Sequence, residues 1–377
     1  MELYTLNQNF QRIDVIDEYE SAIWTERYTD AGDVTLVVPP TQKMIQKLAE
    51  GTFLALAGSD EVMILETQLI EKGKLTVKGT DLLKFLDNRV IRRSPDHSIK
   101  SWIVINNHPL FIMESIVSLS CIETFSGTPD VGLDEVKEAI PNLTIAPNDL
   151  VIANTGPDIS VEYGPVFSAL KQLSTTYSIG MRLFLAWVTD TDYSIQFSAY
   201  EGRNLTSNQG IYPVVQFSPG MDTLMDLSSL RSMANYKNVA YAYASADPGG
   251  LAASVPYGVA YAYPAAASEV GFKRRTLMIF CDDITTDSAP GLTAAQLTSI
   301  LNERAKDALA NNNYTRVVDG EIIPQSGYEY GVDYMLGDII ELKSFDEATL
   351  QKARITEFIR VDDPTGERAY PTVSVLE

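Results

Sequence analysis

Hydrophobic and polar residues alternate along much of this chain, most densely toward its two ends. Near the end, Tyr330, Val332, Tyr334 and Leu336 alternate with Gly331, Asp333 and Met335, the period of a half-buried strand. A Gly337-Asp338 turn leads into a strand at Ile339-Ile340-Glu341-Leu342, which runs out into a polar hairpin. A third strand, from Ala353 to Val361, places Ile355, Ile359 and Val361 on one side and Arg354, Thr356, Phe358 and Arg360 on the other. Pro364 and Gly366 stand where the following turn needs them. The pattern predicts a meander that closes a small barrel.

The beginning of the chain reads the same way. A long aromatic-rich strand runs from Ser21 to Tyr28, Asp30 to Asp33 reverse it into Val34 to Val38, and Pro39-Pro40 stop it. Thr41 is placed to cap a short helix over Met44, Ile45 and Leu48. Strands follow at Thr52 to Leu56, Val62 to Ile70 and Lys74 to Lys78, with a short helix from Thr80 to Leu86. That is enough for a barrel with a helix outside it. Trp24 is read as a core or interface residue rather than as a sugar-stacking platform.

Between these ends the pattern changes. Residues 95–160 are punctuated by Pro95, Pro109, Pro129, Pro141, Pro147 and Pro157, with helical spacing at Leu110 to Ile122 and at Gly132 to Ile140. They read as an inserted, loop-rich subdomain. In residues 161–235, Pro165 opens an amphipathic helix through Val166, Phe167, Leu170, Leu173 and Tyr177, which Gly180 caps. Two strands, Met181 to Val188 and Ser194 to Tyr200, follow around a Thr189 to Asp192 turn.

The run Val239-Ala240-Tyr241-Ala242-Tyr243 recurs as Val259-Ala260-Tyr261-Ala262-Tyr263, a hairpin whose alanine face admits a packed helix. The best helix spans Thr293 to Asn311. Thr293 and Gln296 form a capping box, Leu297, Ile300, Leu301, Ala305, Ala308 and Leu309 form its apolar stripe, and Glu303, Arg304, Lys306 and Asp307 face outward. The organisation predicted is α+β and mainly β. Two tube-like β-barrel domains, 1–94 and 236–377 (with helix 293–311), each with a flanking helix, enclose inserted α/β subdomains at 95–160 and 161–235.

Length and charge narrow the classes of function. At 377 residues the chain exceeds what one core serves. Fifty acidic against 29 basic residues give a formal charge of −21, which argues against gripping a nucleic-acid backbone. Cys121 and Cys281, far apart in apolar contexts, read as buried thiols in a reducing compartment. The opening MELYTLNQNF lacks a secretory leader and no run of about 18 apolar residues occurs, so a soluble protein made in the cytoplasm is expected.

Candidate chemistry is sparse. His97 and His108 have no nearby ligand pattern and read as loop residues. Asp190 and Asp192 lack the glycine and closing glutamate of a calcium loop. The pairs Asp282-Asp283 and Asp362-Asp363 are adjacent, so their side chains point different ways. Glycosidase carboxylates come from separated positions, and 50 acidic residues leave such a pair open. Arg274-Arg275 suggests an interface or an intramolecular ion pair. No catalytic, cofactor-binding or metal site is assigned, and no enzyme is expected.

Six stretches, in order, carry a resemblance. YESAIWTERYTDAGDVTLVVP and VMILETQLIEKGKLTVKGTDLLKFLDNRVI come early, KNVAYAYASADPGG and GFKRRTLMIFCDDI later, and YGVDYMLGDIIEL and ARITEFIRVDDPTGERAYPT last. Together they are similar to minor tail proteins of long-tailed phages with siphovirus morphology, the tail-tip or baseplate-hub proteins. The resemblance covers most of residues 1–90 and 235–377 and little between them beyond YGPVFSALKQLSTTYSIGMRL. It implies a virion structural protein at the tail tip, assembled in the host cytoplasm. Such a hub is a homotrimer whose two tube-like barrels per chain imitate a six-membered ring. Its implied neighbours are the distal tail protein, the tape-measure protein and other tail-tip or fibre proteins. Phage DNA would pass through without specific binding, past the surplus carboxylates, and no cofactor is implied. The alternatives are a tail-associated cell-wall hydrolase and a host-glycan-binding module.

Overall fold

The computed structural model describes residues 1–91, 101–104, 106–122, 139–147, 153–187, 193–218, 224–244, 250, 255–285, 291–322, 327–343 and 350–376. Early alternation becomes antiparallel strands. These are β1 (Leu3–Leu6), β2 (Arg12–Ile16), β3 (Ser21–Arg27) and β4 (Asp33–Val38), then helix α1 (Gln42–Lys47), β5 (Phe53–Leu56), β6 (Val62–Glu71), β7 (Lys74–Asp81) and the single turn α2 (Leu82–Phe85). In β4, Val34, Leu36 and Val38 point into the core and the intervening residues do not. Thr41 caps α1 as expected, its hydroxyl accepting from the Met44 N–H at 3.2 Å. The helix expected from Thr80 is shorter, because β7 runs on through Asp81. The Asp81 carboxylate then caps α2 by accepting from the Lys84 N–H at 3.1 Å.

The middle of the chain supplies β8 (Ser101–Val104), α3 (Pro109–Val117), β9 (Leu143–Ile145), β10 (Ile159–Glu162), α4 (Val166–Tyr177), β11 (Gly180–Trp187) and β12 (Tyr193–Tyr200). A π turn, Ser118–Ile122, continues α3 over the span expected to be helical. The helix expected at Gly132 to Ile140 falls on residues 132–138, and the turn at Thr189 to Asp192 on 189–192, both outside the described residues. Leu110 and Ile116 of α3, Phe167 and Leu170 of α4, and Leu183 and Phe197 of the β11–β12 hairpin share one core with Leu6, Val62 and Leu83. The first and middle parts of the chain are therefore packed into each other. At the end of α4 it is Ser178, at φ 54°, that takes the left-handed position, while Gly180 opens β11.

The remainder supplies β13 (Gln216–Phe217), β14 (Leu224–Ser232), β15 (Val239–Ala244), β16 (Tyr257–Tyr261), β17 (Thr276–Cys281), α5 (Ala294–Ala310), β18 (Thr315–Ile322), β19 (Ile339–Leu342), β20 (Gln351–Asp363) and β21 (Gly366–Val375). The repeated Val-Ala-Tyr run forms the antiparallel β15–β16 hairpin, β17 joins β15 in parallel, and Ala240, Ala242 and Ala244 pack on α5. Thr293 and Gln296 make the reciprocal capping box. Three residues expected to face outward do not. Tyr177 donates to Glu303 at 2.6 Å, the Arg304 Nε donates to the Ser160 hydroxyl at 2.7 Å, and the Asp307 carboxylate is buried against Thr176 of α4. The polar side of α5 is half-buried because α4 and β10 lie against it. Leu301 has no exposed surface, so Leu301→Asp buries an unpaired charge at a cost of several kcal/mol, on the order of a domain's whole stability of about 5–15 kcal/mol. Soluble yield and thermal melting check this, and a soluble, normally melting variant would contradict it.

One 13-stranded sheet runs β14-β18-β21-β20-β3-β4-β7-β6-β5-β1-β2, with β19 also pairing β20 and β13 pairing β19. The mainly β, α+β class is as expected. The opening and closing strands meet at β3–β20, from Arg27 opposite Glu357 to Ala22 opposite Asp362. No sheet among the described residues closes on itself. The outer edges of β3 and β20 would each leave backbone groups unpaired, and pairing them with one another satisfies both.

Two local expectations are corrected. Residues 330–336 form a turn and not a strand. Gly331 takes φ +88° and donates to the Tyr334 carbonyl at 2.9 Å, while the Asp333 carboxylate accepts from the Glu329 N–H at 2.7 Å. Tyr334 and Leu336 are buried all the same, and Val332 is exposed. In β20, a bulge between Ile355 and Glu357 shifts the register, so that Phe358 joins Ile355 in the core and Ile359 is only half-buried.

Candidate interaction surfaces

Tyr28 is where the three parts of the chain meet. It has no exposed surface. Its backbone N–H donates to the Thr356 carbonyl at 2.9 Å and its carbonyl accepts from Met181 at 3.0 Å. Its hydroxyl donates to the Ser178 carbonyl at 2.8 Å and accepts from the Gly202 N–H at 3.3 Å. The ring lies against two glycines: a Cβ on Gly180 or on Gly337 would stand 2.2 Å from the Tyr28 Cε2. The Tyr28 ring therefore leaves no room for a side chain at either position. Burial pushes the Tyr28 hydroxyl above its ordinary pKa.

The long sheet ends at β2 and β14, and a further free edge runs along the part of β6 that outruns β5. Beyond Leu65, β6 pairs with β7 alone among the described strands, and there Leu69 and Ile70 are 53% and 54% exposed. At the far end β14 pairs with β18 alone, with Leu230 and Met233 exposed beside it. Unpaired backbone with apolar side chains is a template for strand addition.

A third surface is the outer face of the β16-β15-β17 sheet, opposite α5. Tyr243 lies between Tyr257 and Phe280, with ring centroids 5.8 and 6.2 Å away. Met278 is exposed on the same face, and Phe272 is fully exposed nearby. A contiguous apolar patch of this kind marks a contact surface.

The residues that the sequence singled out are spread across the molecule. His97 lies outside the described residues, as do Asp190 and Asp192. His108 caps α3 and stands 3.7 Å from Glu201. Asp283 pairs with Arg304 across α5. Asp362 accepts from the amino terminus and from Tyr19, and the first of these bonds lowers its pKa most. Asp363 pairs with Arg368 at 2.6 Å. Arg274 donates to the Tyr241 hydroxyl at 2.9 Å and Arg275 to the Met233 carbonyl at 3.1 Å, so both act within the chain. Trp24 has no exposed surface. Cys121 and Cys281 are buried and form no disulfide, and burial pushes the Cys281 thiol up to about 11. Among the described residues no group of His, Cys, Asp and Glu could hold a metal ion, and no helix is long and apolar enough to cross a membrane.

The first and last strands of the chain thus meet in one sheet, with the middle of the chain packed against it. The fold is similar to that of a tail protein from Neisseria meningitidis MC58, at 12% identity and a TM-score of 0.54, covering 100% of this chain and 96% of that one. It is also similar to the 43 kDa tail protein of prophage MuSo2 from Shewanella oneidensis, at 11% identity and a TM-score of 0.52, covering 99% and 98%. The class is thus a protein with the fold of phage tail proteins. No curated protein matches the sequence. The model of the Siphovirus ReqiPepy6 Gp37-like proteins matches residues 1–373, and the chain belongs to that family.

Proposed function

We propose that this chain is a structural subunit of a siphophage tail tip, a baseplate hub in which three copies close a ring between the tail tube and the tip. The observation that carries this reading is the open sheet, with unpaired, apolar-bearing edges on β6 and β14. Pairing β6 of one copy with β14 of the next is a heterologous contact, and such contacts make rings when the rotation closes. Strands β1–β7 and strands β13, β14 and β18–β21 would supply the two halves of the wall. Away from its core, the sheet carries Ile23, Thr35, Val37, Thr76, Lys78 and Thr80, while Arg27 is paired with Asp33 and Glu357 and Lys74 with Glu20. A passage lined by this face, where Glu66 is also exposed, would offer DNA phosphates few unpaired cations. The tyrosine face of β15–β17 is assigned to a neighbouring tail protein, with the distal tail protein, the tape-measure protein and tip fibres as the candidate partners.

Native mass spectrometry tests the ring. The expected mass is three times 41.6 kDa, and a strict monomer would overturn the reading. Leu69→Lys combined with Ile70→Lys should leave the monomer's melting within about 2 °C, because both side chains are exposed, and should abolish the trimer. The reading is also non-enzymatic: the purified chain should produce no clearing on a cell-wall zymogram.

A further inference from the structure

The outer face of the β16-β15-β17 sheet has a charged end. β15 and β17 run parallel, from Val239 opposite Thr276 to Ala244 opposite Cys281, so the residues that lead into both strands gather at one end of the sheet. Those residues are Lys237 before β15 and Lys273, Arg274 and Arg275 before β17. Arg274 donates to the Tyr241 hydroxyl and to the Ala267 and Glu269 carbonyls, and Arg275 donates to the Met233 carbonyl. All of these acceptors are neutral. Lys273 is exposed on a turn beside Phe272. The Glu269 carboxylate is turned to other donors, Asn238 and Tyr263. Among the described residues none of the four cations forms an ion pair. They give this end of the sheet a local positive potential in a chain of formal charge −21.

Beyond the cations the face is apolar. Two rows of side chains cross it, Val259-Tyr241-Met278 and then Tyr257-Tyr243-Phe280. Met278 and Phe280 are 55% and 64% exposed. Tyrosine, phenylalanine, methionine and arginine are the residues that protein interfaces favour. The aliphatic Val259 and Met278 offer no stacking surface to a nucleic-acid base, and the surplus carboxylates elsewhere on the chain oppose a polyphosphate. Charge complementarity then fixes the occupant. We propose that this face docks an acidic, apolar-bearing segment of a neighbouring tail protein, whose carboxylates pair with the four cations and whose apolar side chains cover Tyr243 and Phe280. The proposal rests on the reading of the chain as a tail subunit, and it adds the sign of the partner's charge and the end of the sheet where that charge lies. The charges steer and orient the approach, and the covered rings set how long the contact lasts.

Biolayer interferometry of the whole chain against the purified distal tail protein, tape-measure protein and tip fibre of the same phage tests this. Zero-length carbodiimide coupling, which joins an amine to a carboxylate in contact with it, then maps the contact. At least one of the three proteins should bind, more weakly as salt rises. Phe280→Ser should weaken that binding about tenfold or more, and Lys273→Glu should weaken it and flatten its salt dependence. Both residues are exposed, so both variants should fold. Coupling should link Lys237 or Lys273 to an aspartate or glutamate of the partner. The proposal is overturned if none of the three proteins binds, if the variants bind undiminished, or if the two lysines couple only to a second copy of this chain. Binding of an oligothymidine strand with the same dependence on Phe280 would also overturn it. Native masses separate this proposal from the ring. Variants that stay trimeric but lose the partner support the docking face, and a natural chain that is monomeric yet binds through Phe280 keeps the docking face while the ring fails.

Discussion

Tyr28→Ala should lower stability by about 3–5 kcal/mol, the cost of emptying a fully packed aromatic site. Its ring fills the space that Gly180 and Gly337 leave by lacking a Cβ. Tyr28→Phe keeps the ring and loses only the hydroxyl's bonds to Ser178 and Gly202, at a cost of about 1–2 kcal/mol. Urea unfolding of the two variants separates the ring from the hydroxyl. A Tyr28→Ala variant that unfolds with the natural chain would show that this junction carries no strength. Gly337→Ala should fail for the same reason seen from the other side. Its φ of +87° strains any side chain, and its Cβ would strike the Tyr28 ring.

Local features were legible in the sequence wherever near neighbours decide the structure. The Thr293–Gln296 capping box, the Thr41 cap and the β15–β16 hairpin all follow from residues a few positions apart, and all are present. The alanine face of that hairpin receives a helix because small side chains let a backbone approach, a property readable from composition alone. Residues 330–336 misled because period-2 alternation is also what a turn leaves when Tyr334 and Leu336 point inward. The deciding fact, a left-handed Gly331 tied by Asp333, lies in the backbone. The bulge in β20 was equally hidden, since one extra residue flips every later side chain and nothing in the run marks its place.

What decides the interaction surfaces is long-range pairing, and there the sequence is nearly silent. β3 meets β20 across more than three hundred residues, and either strand alone reads as a member of its own barrel. The same distance hid a cavity beside that seam. Glu26, Glu61, Arg182, Arg203, Asp338 and Arg360 are ordinary charged residues in an acidic chain until the sheet brings them together. The outward half of α5 failed for a related reason: Glu303, Arg304 and Asp307 look solvated in a helical projection, yet their partners come from α4 and β10.

Arg360→Met should cost about 3–5 kcal/mol, because it leaves Glu26 buried without its cation. Glu26 is 5% exposed, and Arg360 reaches its carboxylate at 2.6 Å across the β3–β20 seam. The guanidinium also lies 4.8 Å from the Phe358 ring centroid, and Phe358 stacks on Tyr330 at 3.7 Å. The hydroxyl of Tyr330 donates to the same Glu26. One substitution therefore removes a charge partner and loosens a stacked pair. Methionine keeps much of the packing volume, so the loss reports the stranded carboxylate more than an empty site. The second variant of the cycle is Glu26→Gln, and the double variant should recover most of the stability lost by Arg360→Met alone, since a neutral amide no longer needs the cation. Denaturant midpoints for the four proteins give the coupling directly. Additive losses would mean that Arg360 holds the seam through its rings and its stem, with Glu26 adequately solvated by Ser59 and Tyr330.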